Sequence, residues 1–274
     1  MEISGGWHQV RMALENTIDQ LFTLKPESFF EFDSVLSMDE INTLGYVRNF
    51  PHLTCLMCSI DEKQLNSIST GETPVSAEHV EPNIKLALLP AACYKVYMGL
   101  SGTHLSEASM VGCIARCFRH EDKALDAYRA MNFTMKEFVC LGNADDAKKH
   151  LESGFEIIKY LLDHLGIPFS CEVASDPFFD STSSTAALSK LLPTKREILY
   201  QGHAVSSINF HRNYFGEKFS IFLGDQAVNT SCVAFGIERW ISMLKDVFGT
   251  PSAALTAIVR VGKAAKQTLP ELAL

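Results

Sequence analysis

The chain contains 274 residues, and its 24 Lys and Arg against 32 Asp and Glu give a formal net charge of −8 at pH 7. Apolar residues make up 47% and charged residues 20%, which is typical of a globular protein that buries a sizeable core. The acidic balance argues against a general nucleic-acid surface, which needs a basic face, although one small basic pocket stays compatible with it. No run of about 20 apolar residues is present, so we expect no membrane-spanning helix.

Patterning in chain order predicts a helix at 8–24, strands at 53–60, 93–99, 112–119 and 132–141, a helix at 146–165, strands at 203–210 and 218–223, and helices at 235–248 and 253–266. The helix at 146–165 has the clearest apolar face and is followed by the stop signal Gly166-Ile167-Pro168. Strands do not alternate regularly with helices, so an α+β fold with an antiparallel sheet is expected. No glycine-rich Rossmann or P-loop signature is present.

We expect a single domain over 1–274, because no repeat, linker or long charge run divides the chain. The Ser- and Thr-rich stretch 170–193 is expected to be a loop or insertion. The first residues lack the basic and apolar regions of a secretion signal. The eight cysteines lie mostly in apolar runs, so a reduced, cytoplasmic setting is favoured over a disulfide scaffold.

Three segments carry side chains suited to chemistry. In Arg116-Cys117-Phe118-Arg119-His120-Glu121, a planar guanidinium near a strand end can bind phosphate, but a surface ion pair explains the same residues. In the segment 133–137, Phe133, Met135 and Glu137 share a strand face. A half-buried core strand would explain Phe133 and Met135. It would not explain Glu137, because a buried carboxylate needs a partner. In the segment 229–240, Arg239 falls in the first turn of a helix, either near an anion or in a surface pair with a Glu.

Taken in order, C-F-R-x-E, F-x-M-x-E and C-V-x-F-G-x-E-R resemble motifs 2 and 3 of class II aminoacyl-tRNA synthetases, closest to the seryl type. The chain is most similar to the amino acid:[carrier protein] ligases, which resemble a zinc-dependent seryl-tRNA synthetase core without a tRNA-binding arm. The resemblance runs from about residue 6 to about residue 248, and further matching pieces lie at 49–53, 89–94, 175–179 and 204–211. It implies a six- or seven-stranded antiparallel sheet flanked by helices, and a homodimer.

The resemblance implies a role for each matching residue in the nucleotide site. Arg119 would bind the α-phosphate of ATP and the developing adenylate, and Glu121 would contact the base side. Phe133 would stack on adenine, while Arg239 would cover the other face of adenine and touch the γ-phosphate. Arg129 would face the substrates.

Cys93, Glu137 and Cys232 match the zinc ligands of the family. Two thiolates and one carboxylate leave a fourth position open, which could hold the neutral amino group of an amino acid. Without the resemblance, the two cysteines would be taken as small buried hydrophobic residues. Cys55 and Cys58 have C-x-x-C spacing, but no second pair accompanies them and on a strand they would face opposite ways.

Four further polar residues are weaker candidates. Ser207 and Asn209 share a strand face and could bind Mg²⁺ or the α-carboxylate of the substrate through oxygen. Lys195 and Glu197 match a K-x-E pattern of the family. Solvated polar side chains near strand ends would explain all four equally well.

The resemblance implies that ATP activates a small amino acid, glycine or alanine, which then passes to the phosphopantetheine thiol of an acyl carrier protein. The chain departs from the family in three places: the N-terminal dimer motif matches loosely through Gly6, 228–231 reads Val-Asn-Thr-Ser instead of Ala-His-Thr-Ala, and 180–195 diverges most. Two alternatives stay open. A tRNA-aminoacylating synthetase is disfavoured because no long heptad arm or basic stretch precedes Cys93, and a catalytically idle ligand- or partner-binding subunit is disfavoured because the proposed site residues are all present.

Overall fold

The computed structural model describes residues 3–81, 83–121, 125–191 and 193–268. The helices are α1 (Gly6–Phe22), α2 (Met38–Leu44), α3 (Tyr46–Asn49), α4 (Leu65–Ser69), α5 (Cys93–Gly99), α6 (Ala144–Leu165), α7 (Ser184–Leu191), α8 (Tyr214–Phe219), α9 (Ile237–Phe248) and α10 (Pro251–Thr268). The strands are β1 (Phe29–Glu31), β2 (Val35–Ser37), β3 (Leu56–Met57), β4 (Leu86–Leu88), β5 (His104–Leu105), β6 (Ser109–Phe118), β7 (Asn132–Gly142), β8 (Ser170–Ala174), β9 (Lys195–Tyr200), β10 (His203–Arg212), β11 (Phe222–Leu223), β12 (Gln226–Ala227) and β13 (Asn229–Gly236).

A seven-stranded sheet organises the fold, with strand order β1-β6-β7-β13-β10-β9-β8. Every pairing in it is antiparallel except that of β1 with β6. Its register sets Glu137 opposite Ala234, Ala234 opposite Ser207, and Ser207 opposite Glu197. Cys232 lies two residues before Ala234 on β13 and therefore on the same face of the sheet. It pairs with Asn209, which in turn pairs with Lys195. The sheet therefore presents most of the candidate polar residues on one face.

The opposite face is closed by helices α1, α6, α9 and α10, which share one apolar core with it. Helix α6 begins at a capping box in which Asn143 accepts from the Asp146 N–H, and it ends at Gly166, whose φ of 69° suits glycine. Its buried residues face β13, and Gly154 lets the helix approach Val233, because a Cβ there would lie 2.4 Å from Val233 Cγ2. The face with Glu137 and Cys232 packs against α5 and α8 in a second apolar core, and the candidate polar residues lie on this face.

Several predicted elements are confirmed and others are wrong. The helices predicted at 8–24, 146–165, 235–248 and 253–266 correspond to α1, α6, α9 and α10, and the strands at 112–119, 132–141 and 203–210 to β6, β7 and β10. The strand predicted at 93–99 is helix α5, because Cys93, Val96 and Tyr97 recur at helical spacing and are buried together. Only Leu56–Met57 of 53–60 and Phe222–Leu223 of 218–223 are strands, and the stretch 170–193 contains β8 and α7 rather than a loop alone.

In the part of the chain that the structure describes, none of the helices combines the length and the apolar character that crossing a membrane requires.

An ion pair between the buried Lys136 and the partly exposed Asp19 joins α1 to the closed face of the sheet. Lys136 Nζ lies 2.7 Å from Asp19 Oδ1 and 4.2 Å from the centroid of the Phe29 ring, and its side chain is only 2% exposed, whereas that of Asp19 is 41% exposed. Burial raises the pKa of Asp19 in spite of Lys136. Asp19→Ala should therefore lower the free energy of unfolding by about 2–4 kcal/mol, because it leaves the buried ammonium group of Lys136 without a counterion.

The matched variant Lys136→Met should cost less than about 1.5 kcal/mol, because the partly exposed Asp19 carboxylate can regain water. Urea unfolding of the two variants measures this asymmetry. Equal losses in the two variants would contradict it.

Candidate functional site

Arg119 and Phe133 meet at the same end of β6 and β7. Strand β6 ends at Phe118, so Arg119 and Glu121 lie just beyond the strand rather than on it. The Arg119 N–H donates to Met131 O at 2.9 Å, its Nε donates to Pro90 O at 3.0 Å, and its Cζ lies 5.2 Å from the centroid of the Phe133 ring. The guanidinium is thus fixed at both backbone and side chain beside an aromatic ring.

Glu121 and Arg129 lie in the segment that joins these two strands and form an ion pair. Arg129 Nε is 3.4 Å from Glu121 Oε2, and both side chains are partly exposed. The structure therefore brings Glu121 and Arg129 together, as two of the residues predicted near the nucleotide.

Arg239 is the third residue of α9, as predicted, and both sides of its guanidinium are held by backbone. Its Nε donates to Tyr128 O and its Nη1 to Ala204 O, each at 2.7 Å. Burial, and after it the positive charge of Arg119, lowers the pKa of Arg239. Arg119 and Arg239 are thus near enough to repel one another, and two fixed guanidinium groups can together bind an anion.

Cys93, Glu137 and Cys232 converge although they are far apart along the chain. Their ligand atoms all lie within 4.8 Å of one another and all three residues are buried. The Cys232 thiol donates to Glu137 Oε2 at 2.9 Å, and the Ala92 N–H donates to Glu137 Oε1 at 2.9 Å. Two thiols and one carboxylate that approach one another this closely form a donor set that zinc accepts in proteins. No other group of three or more His, Cys, Asp or Glu side chains within the described ranges is close enough to share an ion.

The electrostatics of this cluster favour a cation. A hydrogen bond from Cys232 lowers the pKa of Cys93, but burial and the Glu137 carboxylate outweigh it and bring the pKa to about 11. Burial, Cys93 and Glu137 raise the pKa of Cys232 well above its usual value. The protein alone therefore keeps both thiols protonated at neutral pH, and coordination to a divalent cation would stabilise the thiolates.

Ser207 and Asn209 lie beside this cluster on β10, and the Asn209 Nδ2 donates to Ser207 Oγ at 3.3 Å. Lys195, next to Asn209 in the sheet, has its Nζ 3.0 Å from Glu197 Oε1 and 2.9 Å from Asp176 Oδ1. Burial would lower the pKa of Lys195, but the two carboxylates raise it above its usual value. The prediction from sequence missed the role of Asp176 in this network; its only signal was the matching segment 175–179.

Two histidines near β13 were also missed; His150 is buried and His211 is partly buried. His211 Nδ1 lies 3.2 Å from both Tyr97 Oη and Thr230 Oγ1, and His150 Nδ1 lies 2.8 Å from Ser231 Oγ. Burial lowers the pKa of each imidazole to about 4, so both are neutral at physiological pH. Thr230 and Ser231 belong to the segment where this chain departs from the family pattern, and here they serve as hydrogen-bond partners.

Other candidates lie apart from these groups. Arg116 donates to Glu238 at 2.7 Å, and Glu238 also accepts from the Thr134 backbone and hydroxyl, so this arginine joins β6 to α9. Cys55 is half-buried and Cys58 is exposed on either side of β3. Neither belongs to the metal-ligating cluster, as expected from their spacing.

Three solved structures that resemble this fold are class II aminoacyl-tRNA synthetases. A search of family models found no match. The chain aligns with M. kandleri seryl-tRNA synthetase in complex with A. aeolicus tRNASec (TM-score 0.76, 16% identity, 92% of this chain and 55% of the other) and with a cytoplasmic serine–tRNA ligase from Naegleria fowleri in complex with AMP (TM-score 0.65, 12% identity, 93% and 59%). A Giardia lamblia prolyl-tRNA synthetase with prolyl-adenylate has a TM-score of 0.63 at 14% identity, over 88% of this chain and 46% of the other. These likenesses confirm the predicted fold, and the chain spans about half the length of the synthetases.

Two sequence relatives come from Bradyrhizobium diazoefficiens. Amino acid–[acyl-carrier-protein] ligase 1 is 31% identical over 249 residues, which cover 84% of this chain and 74% of the relative. Amino acid–[acyl-carrier-protein] ligase 2 is 31% identical over 244 residues, which cover 84% of this chain and 72% of the relative. The resemblance inferred from the motifs is confirmed: the chain belongs to the family of amino acid–[acyl-carrier-protein] ligases.

Proposed function

We propose that the protein uses ATP to activate a small amino acid, glycine or alanine, and transfers the aminoacyl group to the phosphopantetheine thiol of an acyl carrier protein. The observation that carries this proposal is the convergence of Cys93, Glu137 and Cys232. The names of the two relatives support the carrier-protein acceptor. The fixed guanidinium groups of Arg119 and Arg239 support ATP.

In the first proposed step, the carboxylate of the amino acid attacks the α-phosphorus of ATP, and pyrophosphate leaves. Arg119 neutralises charge on the α-phosphate, and Arg239 does so on the γ-phosphate. Phe133 stacks on adenine, Glu121 contacts the base side and Arg129 faces the substrates. Ser207 and Asn209 offer oxygen atoms for Mg²⁺ or for the carboxylate of the amino acid.

Cys93, Glu137 and Cys232 would hold Zn²⁺, which when bound supplies an open position for the neutral amino group of the substrate. Glu137 keeps its orientation through the Ala92 N–H. In the second step the phosphopantetheine thiol attacks the adenylate carbonyl, a thioester forms and AMP leaves. We further propose that the enzyme acts as a homodimer in the cytoplasm, where its thiols stay reduced.

Pyrophosphate exchange with each of the twenty amino acids, run beside a metal analysis, tests the activation step. We expect exchange with glycine or alanine and about one zinc per chain. Thioester formation on a phosphopantetheinylated carrier protein, with the unmodified carrier as control, tests the acceptor. Size-exclusion chromatography with light scattering tests the dimer.

The two alternatives correspond to distinct outcomes. Strong, salt-sensitive tRNA binding in a mobility assay, together with aminoacylation of the tRNA, would favour a tRNA synthetase. Absence of exchange across the whole panel of amino acids would favour an idle ligand-binding subunit.

Removal of the metal by a chelator at neutral pH should lower the thermal midpoint by roughly 5 °C or more, because a bound ion stabilises only the folded chain. Differential scanning calorimetry before and after chelation, and again after zinc is restored, measures the change. A midpoint that does not move on chelation would contradict a metal at this site.

A further inference from the structure

Tyr128, in the segment that precedes β7, contacts both α9 and the start of β10. The Tyr128 hydroxyl donates to the Asp246 carboxylate on α9. The Tyr128 ring stacks on the His203 imidazole at the start of β10, with centroids 4.3 Å apart and planes 11° apart. One side chain therefore joins a helix and a strand end to the connection between β6 and β7.

Neighbouring backbone contacts make the same attachment. The Ser242 hydroxyl on α9 donates to Ala127 O at 2.8 Å, and the Tyr128 N–H donates to Asp126 Oδ1 at 2.7 Å. Asp126 N–H donates to Arg129 O at 3.0 Å, which closes a tight turn around Tyr128. These hydrogen bonds fix the position of the turn from Asp126 to Arg129.

This turn provides one of the two carbonyls that hold Arg239. Because Tyr128 O accepts from Arg239 Nε while Ala204 O accepts from Nη1, the plane of the guanidinium depends on where the turn lies. The carbonyl of Ala204 belongs to β10, the strand that also provides His203. Tyr128 thus fixes the separation between the two carbonyl groups that accept hydrogen bonds from Arg239.

We propose that Tyr128 is a positioning residue for nucleotide binding, which acts through Arg239. Its hydroxyl and ring hold the 126–129 turn against α9 and β10, so that the Arg239 guanidinium is oriented before ATP arrives. The inference rests on the proposed function only for the identity of the anion. It assigns Tyr128, Asp246 and His203 a role that no motif of the sequence indicates.

Steady-state kinetics and direct binding of Mg·ATP to the full chain test the proposal. Tyr128→Phe, which keeps the ring on His203, should raise both KM and Kd for ATP about 3- to 10-fold, the effect of losing one hydrogen bond. Tyr128→Ala, which loses the ring as well, should raise them further. KM for the amino acid should change less than about twofold in both variants, and Asp246→Asn, which keeps an acceptor oxygen, should restore most of the affinity relative to Asp246→Ala.

Tyr214→Phe is the matched control, because it removes a tyrosine hydroxyl that donates to Leu44 O on another part of the surface. It should leave KM and Kd for ATP unchanged. An unchanged Kd for ATP in Tyr128→Ala would overturn the proposal, as would equal increases in KM for both substrates, or a wild-type chain that binds no ATP. If exchange fails with every amino acid while the Tyr128 variants still weaken ATP binding, the proposed function falls and this inference stands.

Discussion

Cys232→Ala is expected to abolish amino-acid-dependent pyrophosphate exchange and to reduce zinc content to background, while the chain keeps its fold. The reason is the small number of donors: the described cluster offers two thiols and one carboxylate, and two donors hold zinc far less tightly than three. Cys232 is buried on the central strand β13, and replacing its –CH2SH side chain with a methyl group removes only the sulfur atom. Exchange assays and metal analysis on the purified variant measure both effects.

Cys140→Ala is the matched control, because Cys140 is also a buried cysteine on a central strand but lies outside the cluster. It should keep both zinc and activity at the wild-type level. Full zinc occupancy in Cys232→Ala would show that the ligand assignment is wrong. Loss of zinc in both variants would indicate general damage to the sheet.

Arg119→Ala should lower kcat/KM for pyrophosphate exchange at least about a hundredfold, the scale of losing one preorganised charge donor. The loss should fall mainly on kcat, because the negative charge that the guanidinium stabilises develops in the transition state. Arg119 is already fixed by Pro90 O and by the Met131 carbonyl, so no ordering is needed when substrate binds. Single-turnover measurement of adenylate formation isolates this step.

Arg196→Ala provides the control for the loss of one positive charge. Arg196 is on β9 and its guanidinium lies 5.3 Å from the centroid of the Phe155 ring on α6, on the closed face of the sheet. It should leave the rate of adenylate formation within about twofold of wild type. Unchanged turnover in Arg119→Ala would remove the proposed role of that arginine.

Local sequence predicted the parts of the fold that have regular apolar spacing. Helix α6 has apolar residues along the whole of one face, is capped by Asn143 and ends at Gly166. Its prediction is confirmed to within a few residues. Helix α5 was mistaken for a strand because Cys, Tyr and Val favour strands locally, whereas contacts with the sheet decide the conformation. Short elements such as α3 and β3 have too few residues to show a period.

The candidate site was predictable only where a motif marks it. Arg119, Phe133 and Arg239 lie in segments with an unusual order of residue types. The structure places the Arg119 guanidinium over the Phe133 ring, and its charge lowers the pKa of Arg239. Tyr128 and Asp176 act through partners that are distant in sequence, Asp246 and Lys195, and no local pattern links such pairs. Cys93 could be proposed as a ligand only through family resemblance, since it lies on helix α5 and the other two members of the cluster come from strands β7 and β13.

The three donors of the cluster come from α5, β7 and β13, so they lie far apart along the chain. A nascent polypeptide emerging from the ribosome has no complete set of donors until β13 has been synthesised and has paired between β7 and β10. Loading of the proposed ion would therefore follow closure of the sheet, and a truncated or misregistered chain would stay unloaded. Metal content would then report on correct completion of folding as well as on the proposed activity.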